Sequence, residues 1–160
     1  MTQPIPEGYH TITPSLFVDD AAEAIEFYKQ AFGATERMRM PRPDGKIAHA
    51  EIQIGDSVLM LSDPMPQSGM KTPKELGGSP VGIFLYVEDV DAVVERAIEA
   101  GATLTMEVDD MFWGDRFGTV SDPFGHSWQI ATHKEDLSPE EIAERGKEAM
   151  AAMSQSATAG

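Results

Sequence analysis

The chain has 160 residues, no cysteine, and a formal net charge of −15 from 27 acidic and 12 basic side chains. That length is one compact domain or two small fused units, and without cysteine there is no disulfide framework, no thiolate chemistry and no Cys-ligated metal. The acidity argues against nucleic acid and anionic membranes, because phosphate binding needs clustered Lys and Arg, and no apolar stretch approaches the ~20 residues that span a bilayer.

In chain order, Met1 to Tyr9 lacks the basic flank and apolar run of a signal peptide, so a cytoplasmic location is expected. Ile12 to Val18 reads as a strand. Asp19-Asp20 caps a helix from Ala21 to Phe32, with Ala21, Ala24, Ile25, Tyr28 and Phe32 at helical spacing and Gly33 as C-cap. Thr35 to Met40 is a second strand, and Asp44-Gly45 has hairpin chemistry. Lys46 to Ile54 alternates as a third strand, and Ser57 to Ser62 follows as a fourth. Asp63 to Pro80, with Pro64, Pro66, Pro73 and Pro80, reads as a linker, with a rim over a cleft as the alternative.

The pattern then repeats. Val81 to Val87 is a strand, Val90 to Ala100 a helix, and Thr103 to Val108, Arg116 to Ser121 and Ser127 to Thr132 are strands. Asp89 stands where Asp20 does, and Gly101-Ala102-Thr103 where Gly33-Ala34-Thr35 does. Neither copy buries its apolar face alone, so the two must pack together. Ser138-Pro139-Glu140-Glu141 starts a last helix, with Ser at N-cap, Pro at N1 and Glu at N3, running to about Met153 before a frayed tail. The expected fold is α+β. Two tandem βαβββ units (8–64 and 81–133), joined by a Pro/Gly-rich linker (65–80), form a curved, partly closed mixed eight-stranded sheet around a cleft. A C-terminal helix (137–153) follows.

Strand alternation sorts the faces. Ala50, Ile52 and Ile54 face a helix, which turns His49, Glu51 and Gln53 the other way. The same logic places Thr13, Ser15, Phe17, Phe84, Tyr86, Phe117, Thr119 and Gln129 on the second face. Aromatic walls with a few polar groups are the character of a ligand cleft; a solvated sheet face is the alternative. The loop Met111-Phe112-Trp113-Gly114-Asp115-Arg116-Phe117 has two readings. Trp113 and Phe117 clamp a flat ligand while Arg116 pairs with an anionic group on it. Otherwise the aromatics plug the fold or an interface, and Arg116 pairs with Asp115.

The paired β-α-β-β-β layout, with its strand-Asp-helix-Gly-Ala units, resembles the vicinal oxygen chelate superfamily over about residues 8 to 133. Ile47-Ala48-His49-Ala50-Glu51, Met60-Leu61-Ser62-Asp63-Pro64-Met65-Pro66, Phe112-Trp113-Gly114-Asp115-Arg116-Phe117-Gly118 and Asp122-Pro123-Phe124-Gly125-His126 are similar to its PhnB-like branch. Metal-dependent members carry His, Glu or Gln on four strands. The resemblance lays those positions on Thr13, Met60, Gly82 and Gln129. Gly82 has no donor, and a thioether does not suit magnesium or manganese. No metal at the usual site and no cofactor are therefore expected.

Two functional readings follow. The first is a metal-independent binding protein of the bleomycin-resistance type, sequestering a partly aromatic or cationic small molecule among Thr13, Ser15, Phe17, Met60, Phe84, Tyr86, Trp113, Arg116, Phe117 and Gln129. The second is a glyoxalase-like lyase or isomerase, or a dioxygenase, using a relocated metal or acid-base site at His49 and Glu51. In the blander alternative, His49 is a hydrogen-bonded cleft residue and Glu51 a surface carboxylate or the partner of Arg116. His126 is expected to be exposed in its turn, and His10 and His133 carry no spacing signal. The resemblance also implies a homodimer, and the apolar stripe Ile142, Ala143, Gly146, Ala149, Met150 and Met153 must cover its own domain or a second subunit.

Overall fold

The computed structural model describes residues 1–159. The first unit is β1 (Ser15–Phe17), α1 (Ala21–Phe32), β2 (Thr35–Pro41), β3 (Ile47–Ile54) and β4 (Ser57–Ser62). A one-turn helix, α2 (Pro73–Leu76), interrupts the linker, started by a Thr72–Glu75 capping box. The second unit is β5 (Gly82–Tyr86), α3 (Val90–Ala100), β6 (Thr103–Asp110), β7 (Asp115–Ser121) and β8 (Ser127–His133), followed by α4 (Pro139–Thr158). The eight strands pair as two mixed four-stranded sheets, ordered β1-β4-β3-β2 and β5-β8-β7-β6. In each, the first strand runs parallel to the last, and the other pairs are antiparallel.

Local chemistry explains the boundaries. Asp20 and Asp89 accept from the backbone N–H of Glu23 and Ala92, closing the first turns of α1 and α3. β1 is shorter than the apolar run suggests because Pro14 has no N–H for the ladder; its carbonyl still accepts from Met60 N at 2.9 Å. α4 continues past Met153 to Thr158. Its end holds no Gly or Pro, and the Ser156 and Thr158 hydroxyls donate back to helix carbonyls.

α1 and α3 pack on each other, and one core joins both units, with Ile25, Tyr28 and Phe32 of α1 in the same cluster as Val120, Trp128 and Ile130. Buried Asp122 clamps the join. It accepts from Tyr28 Oη at 2.6 Å, Trp128 Nε1 at 2.9 Å, and the backbone N–H of Phe124 and His126 at 2.9 Å each. His126, expected to be exposed, is buried, and its Nε2 lies 3.0 Å from Phe17 O, between the units. Among the described residues no helix is long and apolar enough to cross a membrane.

Candidate functional site

With the helices covering one face of each sheet, the residues turned the other way form two open faces. On the second sheet they lie in register. Phe84, Gln129 and Thr119 make one row, Tyr86, Ala131 and Phe117 the next, and His133 and Asp115 the last. The rings form a continuous aromatic surface. Phe84 lies 4.9 Å from Tyr86 and is stacked 5.7 Å from Phe117, and Trp113 meets Phe117 edge-on at 5.5 Å. Phe84 and Tyr86 remain 43% and 62% exposed, a large apolar area open to a ligand.

Asp115 fixes this surface from below. The buried carboxylate accepts from Tyr86 Oη at 3.0 Å, Trp113 Nε1 at 3.1 Å and His133 Nδ1 at 2.8 Å. The bond to Asp115 holds the Tyr86 phenol above its ordinary pKa, so Tyr86 stays a neutral donor. His133 Nε2 reaches Asp136 Oδ1 at 2.8 Å. Flanked by two carboxylates, first Asp115 and then Asp136, His133 titrates above an ordinary imidazole. Trp113 is therefore held in one orientation. Phe112 packs instead toward α4, where a Cβ on Gly146 would stand 3.1 Å from its ring.

Arg116 is not part of this face. Asp115 and Phe117 point to the open side, so alternation turns Arg116 to the helix side. There it pairs with Asp91 at 2.7 and 2.9 Å and with Asp110 at 3.3 Å. The expected Arg116–Asp115 pair is thus replaced, and Glu51 is not the partner of Arg116 either.

The open face of the first sheet carries the other candidates. Ser15 stands beside Met60, and Phe17 beside Ser62. Met60 is in register with Glu51. His49 Nε2 lies 3.1 Å from Glu51 Oε1. The Tyr9 phenol also bonds Glu51; that contact, ahead of His49, keeps the Glu51 carboxyl below the usual carboxylate range. Residues 4–11 cross this face and, with Thr13, Glu51 and Met60, enclose a cavity of about 560 Å³. A larger, mostly apolar cavity of about 630 Å³ lies where the two units meet, and brings Thr13 together with Phe84 and Tyr86 above Phe32 and Trp128.

The hard-metal positions do not fit such an ion. Thr13 Oγ1 is turned onto His10 O at 3.4 Å. A Cβ on Gly82 would lie 3.2 Å from Gln129 Nε2, so that space belongs to the Gln129 amide. Among the described residues no three His, Cys, Asp or Glu side chains converge as a metal site. Sequence reading missed the Asp115–His133–Tyr86 cluster. Its signal was the period of two that places Asp115, Phe117 and Thr119 on one face.

The chain has relatives in sequence and neighbours in fold. An uncharacterized protein of Mycobacterium tuberculosis is 49% identical over 134 residues, covering 82% of this chain and 79% of its own length. The crystal structure of an Arabidopsis thaliana gene product superposes with a TM-score of 0.64 at 31% identity, covering 77% of this chain and 98% of that one. TioX from Micromonospora superposes at 0.63 with 26% identity, covering 78% and 98%. Residues 9–130 match the glyoxalase/bleomycin resistance protein/dioxygenase superfamily. On its repeat, its fold and this match, the chain belongs to that superfamily.

Proposed function

We propose that this protein binds a small, partly aromatic or cationic molecule without a hard metal ion, on the aromatic face of the second sheet. The observation that carries the reading is the exposed rings of Phe84 and Tyr86, backed by half-buried Trp113 and buried Phe117, with Tyr86 and Trp113 held by Asp115 and Gln129 at the edge. Aromatic faces attract flat rings by offset stacking and cations through their quadrupole. A surface whose orientation is already fixed loses little entropy on binding.

The same reading extends to a homodimer. β5 is a sheet edge without a charged or proline blocker, and Phe84, Tyr86 and Ile12 are exposed around the 630 Å³ cavity. Edges of this kind invite pairing, and a second copy would close the cleft. The His49–Glu51 pair supports the second reading, acid-base or relocated-metal chemistry of the lyase, isomerase or dioxygenase type, with an ionised Glu51 orienting the imidazole.

Quenching of Trp113 fluorescence by a panel of planar cationic and neutral aromatic molecules tests the proposal. Trp113→Phe serves to subtract the signal of buried Trp128. Saturable quenching that Phe84→Ser and Tyr86→Ser each weaken by roughly tenfold is expected, about 1.4 kcal/mol per ring. Binding indifferent to both substitutions would refute it.

A further inference from the structure

The N-terminal segment crosses the open face of the first sheet. We propose that this covered face is a second ligand site, for a neutral phenol with an apolar para substituent, and that Tyr9 fills it as a displaceable surrogate for that ligand. The inference does not rest on the reading above, which uses the other sheet.

The seat of Tyr9 has the parts of a phenol site. Its hydroxyl bonds Glu51, whose Oε1 also meets His49 Nε2 at 3.1 Å. The Arg37 guanidinium lies over the Tyr9 ring, 5.2 Å from its centroid, a cation–π distance. Burial first, and then Glu51, hold the Tyr9 phenol above its ordinary pKa, while the Glu51 carboxyl is held below its own range. The phenol is therefore the donor and the carboxylate the acceptor, and hydrogen bonds to an ionised acceptor are the strong kind. A bulge supplies the cation. Pairing slips by one residue between Glu36 and Met38, which leaves Arg37 without a partner on β3; bulges re-aim side chains in this way.

The seat is built, but the segment that fills it is loosely held. Tyr9 is half-buried, and every other residue from Met1 to Ile12 is exposed. Tyr9 N bonds Pro6 O at 3.1 Å, inside the segment. Among the described residues no backbone hydrogen bond ties residues 1–13 to the sheet. Segments with few buried contacts open at low free energy. The 560 Å³ cavity beside Tyr9 is lined by Pro4, Ile5, Pro6 and Met60, and its volume is that of a small-molecule pocket, roughly 300–1,000 Å³.

These features set the ligand class. A hydroxyl is needed to donate to Glu51, and a ring to lie under Arg37. The molecule must be neutral, because a phenolate would meet the Glu51 charge. An apolar para substituent extends from the ring along Met60. Binding competes with Tyr9, so the apparent affinity is the intrinsic one reduced by the fraction of chains with Tyr9 out.

The test offers 4-propylphenol to the full-length chain, read by calorimetry and by NMR of ¹³C-methyl methionine. Expected are one site per chain on the first sheet and a shift of the Met60 methyl. Tyr9→Ala removes the occupant at the exposed N-terminus, leaves the core intact, and should tighten binding roughly tenfold. In that background Glu51→Gln should weaken binding roughly tenfold. The methyl ether 4-propylanisole, which has no donor, should also bind roughly tenfold more weakly. Phe84→Ser should change none of these values, which separates this site from the aromatic face. No saturable binding to the Tyr9→Ala variant, affinity unchanged or weakened by Tyr9→Ala, equal affinity for the methyl ether, or a Met60 methyl that does not move would each overturn the proposal.

Discussion

Replacing Asp122 with Ala would strip the acceptor from four donors at the junction of the two units: Tyr28 Oη, Trp128 Nε1 and the N–H groups of Phe124 and His126. Tyr28 and Trp128 are fully enclosed, so water does not replace the carboxylate. Burial first, and then Asp122, hold the Tyr28 phenol well above its ordinary pKa, so it remains a protonated donor. A buried donor left unmade costs about 1–3 kcal/mol. The two backbone groups sit in a turn that can relax toward solvent, so the expected loss is about 4–6 kcal/mol, near the top of the range for single substitutions. That approaches the whole stability of an ordinary domain, about 5–15 kcal/mol. Tyr28→Phe leaves the carboxylate its other three donors and should cost about 2 kcal/mol. Urea unfolding followed by tryptophan fluorescence measures both. At a slope of about 2 kcal/mol per molar, Tyr28→Phe should lower the midpoint by about 1 M. Asp122→Ala should lower it by about 2–3 M or abolish the cooperative transition. A midpoint for Asp122→Ala within about 0.5 M of the parent, roughly 1 kcal/mol, would refute the clamp.

Two further outcomes follow from the geometry around Asp115. His133 titrates above the ordinary imidazole value, so its two carboxylate contacts stabilise the fold fully below about pH 6.5 and are lost as pH rises through the raised folded-state value. Asp136→Asn should lower the His133 pKa in an NMR titration, and an unchanged titration would contradict the contact. Gly114 has φ of 100°, and a Cβ there would stand 2.6 Å from Glu135 O. Gly114→Ala should therefore cost about 1–3 kcal/mol from backbone strain alone and loosen α4, read as faster proteolysis within residues 137–158; unaltered stability and cleavage would count against it.

Much of the first level of structure was legible. The Asp20 and Asp89 caps, the Gly33 and Gly101 stops and the alternation of β3 all act between residues a few positions apart, so the sequence displays them directly. The face assignments of Glu51, Phe84, Tyr86 and Phe117 held for the same reason, since a strand's period of two needs no partner. The partners themselves were not legible. Tyr28 and Asp122, Tyr86 and Asp115, and His133 and Asp115 are remote in sequence, and each side chain taken alone has an unremarkable alternative role. Neither reading of Arg116, a pair with an anionic ligand group on the open face or with its neighbour Asp115, matches the structure, because adjacent strand residues point to opposite faces and the helix side offers Asp91.

By itself, then, the sequence determined the two βαβββ units, their order and which side of each strand is apolar, because periodicity and caps are local physics. Only the tertiary structure decided which strand pairs with which, where the Asp122 clamp closes, and that a one-residue slip in the β2–β3 pairing sets Met38 beside Glu51 and Met40 beside His49. Register depends on hydrogen bonds between separate strands, and a slip of one residue exchanges the faces of everything beyond it.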